Sequence, residues 1–125
     1  MLANRNAMAT IAVRNLAAAR DFYQRTLGLE LADSEQSGVL AFHSGASTLV
    51  IYESAYAGSN QATSATWSLG SEFDEVMHTL QAAGVKFEHY DLPGLVLEGD
   101  AHVHGDFRGA WFKDPDGNIL HIMNQ

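Results

Sequence analysis

His121 is the residue of this chain best placed for chemistry. It lies inside Ile119-Leu120-His121-Ile122-Met123, an alternating run that predicts a strand. Ile119, His121 and Met123 then share one face, with Leu120 and Ile122 on the other. An imidazole among apolar neighbours can ligate a metal, act as a general base or hydrogen-bond a ligand. His102 and His104 stand two apart on another predicted strand, a spacing that can chelate. Their place near Gly99 and Gly105 predicts exposed side chains at a strand end. His43, His78 and His89 read as surface residues. With no Cys, thiolate metal sites and a Cys nucleophile are excluded. There is no Gly-x-Ser-x-Gly elbow and no P-loop. Asp114 and Asp116 pair as carboxylates in composition only; Pro115 and Gly117 explain them better as parts of a tight turn.

The elements that must position His121 form a repeated pattern. Met8 to Val13 predicts a strand, and Asn15 caps a helix carrying Leu16, Ala19, Phe22, Tyr23 and Leu27 at helical spacing. Gly28 ends that run. Strands are predicted over Leu29 to Ala32, Gly38 to His43 and Ser47 to Glu53. The pattern then restarts. Ala62 to Leu69 predicts a strand, Ser71 and Asp74 fit a capping box, and Phe73, Val76, Met77 and Leu80 mark a helix closed by Gly84. Further strands fall at Val85 to Tyr90, Val103 to Phe112 and Ile119 to Met123. The chain therefore reads as one domain, 1–125, of two modules at about 5–56 and 62–125. Two longer connections, Ser54 to Gln61 and Asp91 to Gly99, have the character of loops that line sites.

Composition narrows the function. A chain of 125 residues with 46% apolar content supports one domain with a real core. The net charge of -8, with Lys and Arg scattered, argues against nucleic-acid and anionic-membrane partners. No apolar run is long enough to span a membrane. The start, Met1 to Asn6, lacks a signal-peptide block, which leads us to expect a cytoplasmic protein.

The sequence resembles the vicinal oxygen chelate superfamily, the glyoxalase/bleomycin-resistance/dioxygenase group. The likeness is carried by Asn15-Leu16 with Phe22-Tyr23 and Leu27-Gly28-Leu29, by Leu80-Gln81-Ala82-Ala83-Gly84-Val85, and by Phe112-Lys113-Asp114-Pro115-Asp116-Gly117-Asn118. It implies an α+β fold of paired βαβββ modules, an open, cup-shaped mixed sheet with helices outside and ligand inside. Metal-using members take ligands from the first strand of each module and from a position four residues after the Gly of the turn. Those positions are Met8, Ala65 and His121 here. Alanine cannot bind a metal, a thioether suits hard ions poorly, and one imidazole is too few for a catalytic site. A slip of one or two residues brings in Ala7, Ala9, Thr10, Ser64 or Thr66, none of them a His or a carboxylate.

If Met8, Ala65 and His121 face the cup, alternation turns Thr10, Ala12, Trp67 and Met123 inward as well. Tyr52, Tyr56, Phe42, Phe107 and Trp111 can complete an aromatic wall. The expected function is metal-independent binding of an aromatic or apolar metabolite or drug by Met8, Thr10, Tyr52, Tyr56, Trp67, Trp111, His121 and Met123. No cofactor and no metal ligand is expected, and fold analogy makes a homodimer plausible. The alternative is a lyase, isomerase or dioxygenase-like enzyme in which His121 is a catalytic base or part of a divalent-metal site, with ligands such as Glu53 or His104. The alternation in the second module has its own alternative. It would turn Thr66, Ser68 and Gly70 toward the helix, a weak packing surface; a one-residue shift would instead make Trp67 a core residue.

Overall fold

The computed structural model describes residues 1–32 and 38–125. Tertiary contacts divide them into two units: residues 1–60 with 115–118, and residues 61–114 with 119–125. The first contains β1 (Ala9–Val13), α1 (Leu16–Asp21), β2 (Glu30–Leu31), β3 (Val39–Ser44) and β4 (Ser47–Glu53). Its strand order is β1-β4-β3-β2, with β1 and β4 parallel and the other pairs antiparallel. Asn15 caps α1 as expected, its Oδ1 accepting the Ala18 N–H at 3.0 Å. The helix widens into a π turn over Phe22–Thr26, and Gly28 at φ 72° ends it.

The core of this unit follows from alternation. Ile11, Val13, Leu40, Phe42, Leu49 and Ile51 are buried on one face, with Ala19 and Tyr23 of the helical segment. The Tyr23 and Phe42 rings stand 6.0 Å apart. Each large apolar side chain buried in this way contributes about 1.5–3 kcal/mol. The opposite face carries Thr10, Ala12, Val39, Ala41, Val50 and Tyr52, placed side by side by the register. Residues 115–118 join this unit through Asn118, whose Nδ2–H donates to the Ala12 carbonyl at 2.8 Å. Gly58 is required nearby, because a Cβ there would collide with the Asp116 carbonyl.

The second unit contains β5 (Thr63–Ser68), α2 (Phe73–Ala82), β6 (Phe87–Glu88), β7 (Val96–Glu98), β8 (Ala101–His104), β9 (Phe107–Lys113) and β10 (Ile119–Met123). Its order is β5-β10-β9-β8-β7, with β6 also paired to β9. Strands β5, β10, β9 and β6 repeat the pairing pattern of β1, β4, β3 and β2, and the β7–β8 hairpin is added to it. The α+β, paired βαβββ expectation therefore holds at the level of topology. Phe73, Met77, Leu80, Ala110, Phe112, Leu120 and Ile122 form the buried core.

Three local expectations are corrected. The capping box at Ser71 and Asp74 does not form; a 3-10 turn over Gly70–Glu72 leads into α2, whose N-cap Glu72 makes no side-chain cap. The Asp91 to Gly99 connection is not wholly a loop, because Val96–Glu98 pairs with β8. The single strand expected over Val103 to Phe112 is two strands folded back at Gly105, which takes φ 56°. Among the described residues, no helix is long and apolar enough to cross a membrane.

Candidate functional site

The register of the second unit decides what surrounds His121. It lies opposite Thr66 on β5 and Trp111 on β9, while Met123 lies opposite Ser68 and Gly109. These side chains share one face. A bulge shifts the β5 register between the partners of Ile119 and Leu120, from Thr63 to Ala65, so Thr63 joins that face despite its odd spacing from Thr66. The bulge has a use. Thr63 Oγ1 accepts the Trp111 indole N–H at 3.1 Å and fixes the indole.

The fixed indole stacks on His121, with ring centroids 4.2 Å apart and planes 15° apart. Its other contacts are edge-on: His102 at 4.9 Å and Tyr90 at 5.9 Å. His121 Nδ1 lies 3.3 Å from Thr66 Oγ1. Its Nε2 is buried without a hydrogen-bond partner. A Cβ on Gly109 would stand 2.9 Å from that Nε2 and 2.8 Å from Phe107 Cζ. Glycine at 109 is thus what allows the imidazole and the Phe107 ring to lean over β9. Burial, and secondarily electrostatic repulsion with the neighbouring His102 imidazole, pull the His121 pKa from 6.5 down to about 4. The ring is neutral at physiological pH.

His102 is held from several sides. It sits on β8 opposite Gly109, with 1% of its surface exposed, and its Nε2 accepts the Tyr90 backbone N–H at 2.9 Å. Ahead of β8, Asp100 accepts from His89 Nε2 at 2.7 Å and Gln81 Nε2 at 2.9 Å. Those bonds, His89 first, hold the Asp100 carboxyl below the usual range. His104 Nδ1 donates to the Gly94 carbonyl at 2.9 Å and ties down the preceding segment. Burial, then the Glu88 charge, push the Tyr90 phenol up, against the opposing Lys113 charge.

The structure brings together part of the set expected from sequence. Trp111, His121 and Met123 share the face just described. Trp67 does not: it lies opposite Ile122, on the α2 side of the sheet, and Ala65 lies opposite Leu120 on that same side. The one-residue shift is therefore the alternative that holds, and Thr66 and Ser68 take the open face. Met8, Thr10, Tyr52 and Tyr56 belong to the first unit. Thr10 and Tyr52 share its open face; Met8 is 57% exposed ahead of β1, and Tyr56 is 83% exposed in the turn after β4. His102, expected on the surface, is buried. Sequence reasoning missed Tyr90, Thr63, Thr66, His102 and Gly109. The one available signal was the alternation Phe107, Gly109, Trp111, a small residue framed by rings.

Strand order and site together define an α+β protein of two βαβββ units with one aromatic and imidazole face. The chain belongs to the Glyoxalase/Bleomycin resistance protein/Dioxygenase superfamily, whose sequence model matches residues 5–122. No curated protein matches it. Among solved structures it is similar to an integron cassette protein from the mobile metagenome of the Halifax Harbour sewage outfall, at 17% identity and TM-score 0.72, over 98% of this chain and 99% of that one. It is similar to a glyoxalase/bleomycin resistance protein/dioxygenase from Alicyclobacillus acidocaldarius, at 22% identity and TM-score 0.71, over 96% and 90%. The fosfomycin resistance protein FosX of Listeria monocytogenes matches at 19% identity and TM-score 0.68, over 100% and 93%. At these identities the likeness shows the fold.

One solved form of the Listeria protein holds Mn(II). The donors around His121, among the described residues, do not fit such an ion. Among the described residues, no group of three or more His, Asp or Glu side chains lies close enough to share a metal. His121 has a hydroxyl at one nitrogen and the Gly109 backbone and Phe107 ring at the other. Met8 and Ala65 supply neither oxygen nor nitrogen.

Proposed function

We propose that this protein binds a flat aromatic or apolar small molecule, without a metal, on the face formed by Trp111, His121, Met123 and Thr66. The observation that supports this most is the state of His121: buried, stacked on an indole, and held neutral. A general base works best with a pKa near the operating pH. A ring pulled down to about 4 is a weak base at neutral pH, but remains a good hydrogen-bonding group. The surrounding rings offer large apolar contact area and little charge, which suits a planar ligand. Thr10 and Tyr52 share the open face of the first unit and are candidates for contacts made by that unit on its own; Trp67, on the α2 side of the sheet, is not part of the proposed face. A cytoplasmic location and pairing of two copies belong to the same proposal and rest on composition and fold analogy.

A thermal-shift screen against planar antibiotics, thiol conjugates and hydroxylated aromatics tests this, since a ligand that prefers the folded state raises its melting point. Expected hits are planar and keep their effect in excess chelator. Stoichiometric metal in protein purified without chelator or a metal-affinity tag would overturn the metal-free reading. His121→Ala separates binder from enzyme: a binding contact costs modest affinity, whereas loss of a base removes turnover.

A further inference from the structure

His102 carries more information than its burial. A neutral imidazole has one N–H and one bare nitrogen. Nε2 accepts the Tyr90 N–H, so it is the bare nitrogen, and the proton is on Nδ1. That N–H is buried and has no hydrogen-bond partner. The Tyr90 hydroxyl and His121 Nε2, in the same ring cluster, share this condition. A buried donor left unsatisfied is costly, so the cluster favours an incoming oxygen acceptor.

Charge says which acceptor. Arg108 lies on the α2 side of β9, where it stacks over Phe73 and pairs with Asp74 and Glu98 at 3.4 Å and 3.3 Å. Lys113 is paired with Glu88 at 3.1 Å. The cations on β9 are thus committed to carboxylates of the same unit, and Lys86 stands exposed ahead of β6. A phosphonate or carboxylate reaching the cluster would lose its hydration without gaining a counter-charge there.

We propose that this face selects an uncharged planar ligand through a carbonyl or ether oxygen bonded by the Nδ1–H of His102, and discriminates against anionic ligands of the same shape. This rests on the small-molecule reading given above and adds the ligand's polar requirement to it.

The test uses matched probes on the full chain: coumarin, which is flat and neutral with a lactone carbonyl; naphthalene, of similar footprint without oxygen; and coumarin-3-carboxylate, which is anionic. Affinities from NMR titration should rank coumarin about tenfold above each of the others. Proton–nitrogen NMR of the imidazole rings should show His102 as the Nδ1–H form and should move that resonance on adding coumarin. His102→Phe should bring coumarin down to the level of naphthalene. His102→Asn, which keeps an acceptor for Tyr90 and a donor beside it, should restore part of the preference. Equal binding of coumarin and naphthalene, or tighter binding of the carboxylate, overturns the inference while leaving the small-molecule reading standing. So does an Nδ1–H resonance that coumarin does not move, because a water or a ring face would then be its partner. If no probe binds and Trp111→Ala changes nothing in the screen, the small-molecule reading itself fails, and this inference with it.

Discussion

The two units are built on the same strand order, yet their open faces differ. In the first, Thr10, Ala12, Ala41 and Val50 surround a single large side chain, Tyr52, which is 37% exposed. In the second, Tyr90, His102, Trp111 and His121 pack ring against ring, with Phe107 leaning over Gly109. Their helix-facing sides are alike, since both bury β-branched, Leu and Phe side chains. One architecture therefore leaves the open face free to vary. Rings and imidazoles concentrate on the face that carries the extra hairpin, because β8 supplies His102.

Substitutions that strike the two faces equally would break this comparison. The largest difference is expected for truncating the rings. Trp111→Ala should cost about 3 kcal/mol in denaturant unfolding, whereas Tyr52→Ala should cost less than about 1 kcal/mol, because one ring is wedged among three others and the other borders solvent. Next comes the approach over β9. Gly109→Ala should lose about 2 kcal/mol, since its methyl group would meet Phe107 and His121 inside contact distance. Ala41→Val, on the open face of the first unit, should stay within about 0.5 kcal/mol.

A third difference is in pH. The folded His121 has a depressed pKa of about 4, against an ordinary 6.5. Between those values the unfolded chain holds the extra proton and the folded chain does not, so stability rises with pH. The contribution is complete above about pH 6.5 and is lost as the pH falls toward 4, to a total on the order of 3 kcal/mol. His121→Asn should remove that part of the stability–pH curve, which urea melts across the window would show. The smallest effect is expected from Thr66→Val. Loss of the hydroxyl beside Nδ1 should cost below about 1 kcal/mol, and imidazole NMR should register it as a shift in the His121 tautomer balance.

What could be read in advance followed from periodicity. Ser47–Glu53 is a strand with the bounds expected, and the shared face of Ile119, His121 and Met123 holds, because alternation is a local property of sequence. Trp67 was assigned to the wrong face in one of the two readings because a bulge leaves no local mark. Ser64 differs in nothing from a regular strand residue until its partner strand is known. Burial of His102 was hidden for a related reason: it depends on Val96–Glu98, a strand too short to show a period, folding onto β8. The orphaned Nδ1–H depends in turn on the Tyr90 backbone. Long-range pairing made the site, and composition could only name its ingredients.

The Asp-Pro-Asp-Gly turn has a consequence for anyone who would divide this molecule. Its residues 115–118 group with the first unit, although the strands flanking them belong to the second. A fragment ending at residue 60 would leave the Ala12 carbonyl without the Asn118 amide whose N–H it accepts, and would lack the Asp116 backbone that Gly58 packs against. Neither half is a closed unit of inheritance: a gene split at the repeat boundary would yield two incomplete polypeptides, and recovery of structure would require that they be expressed together.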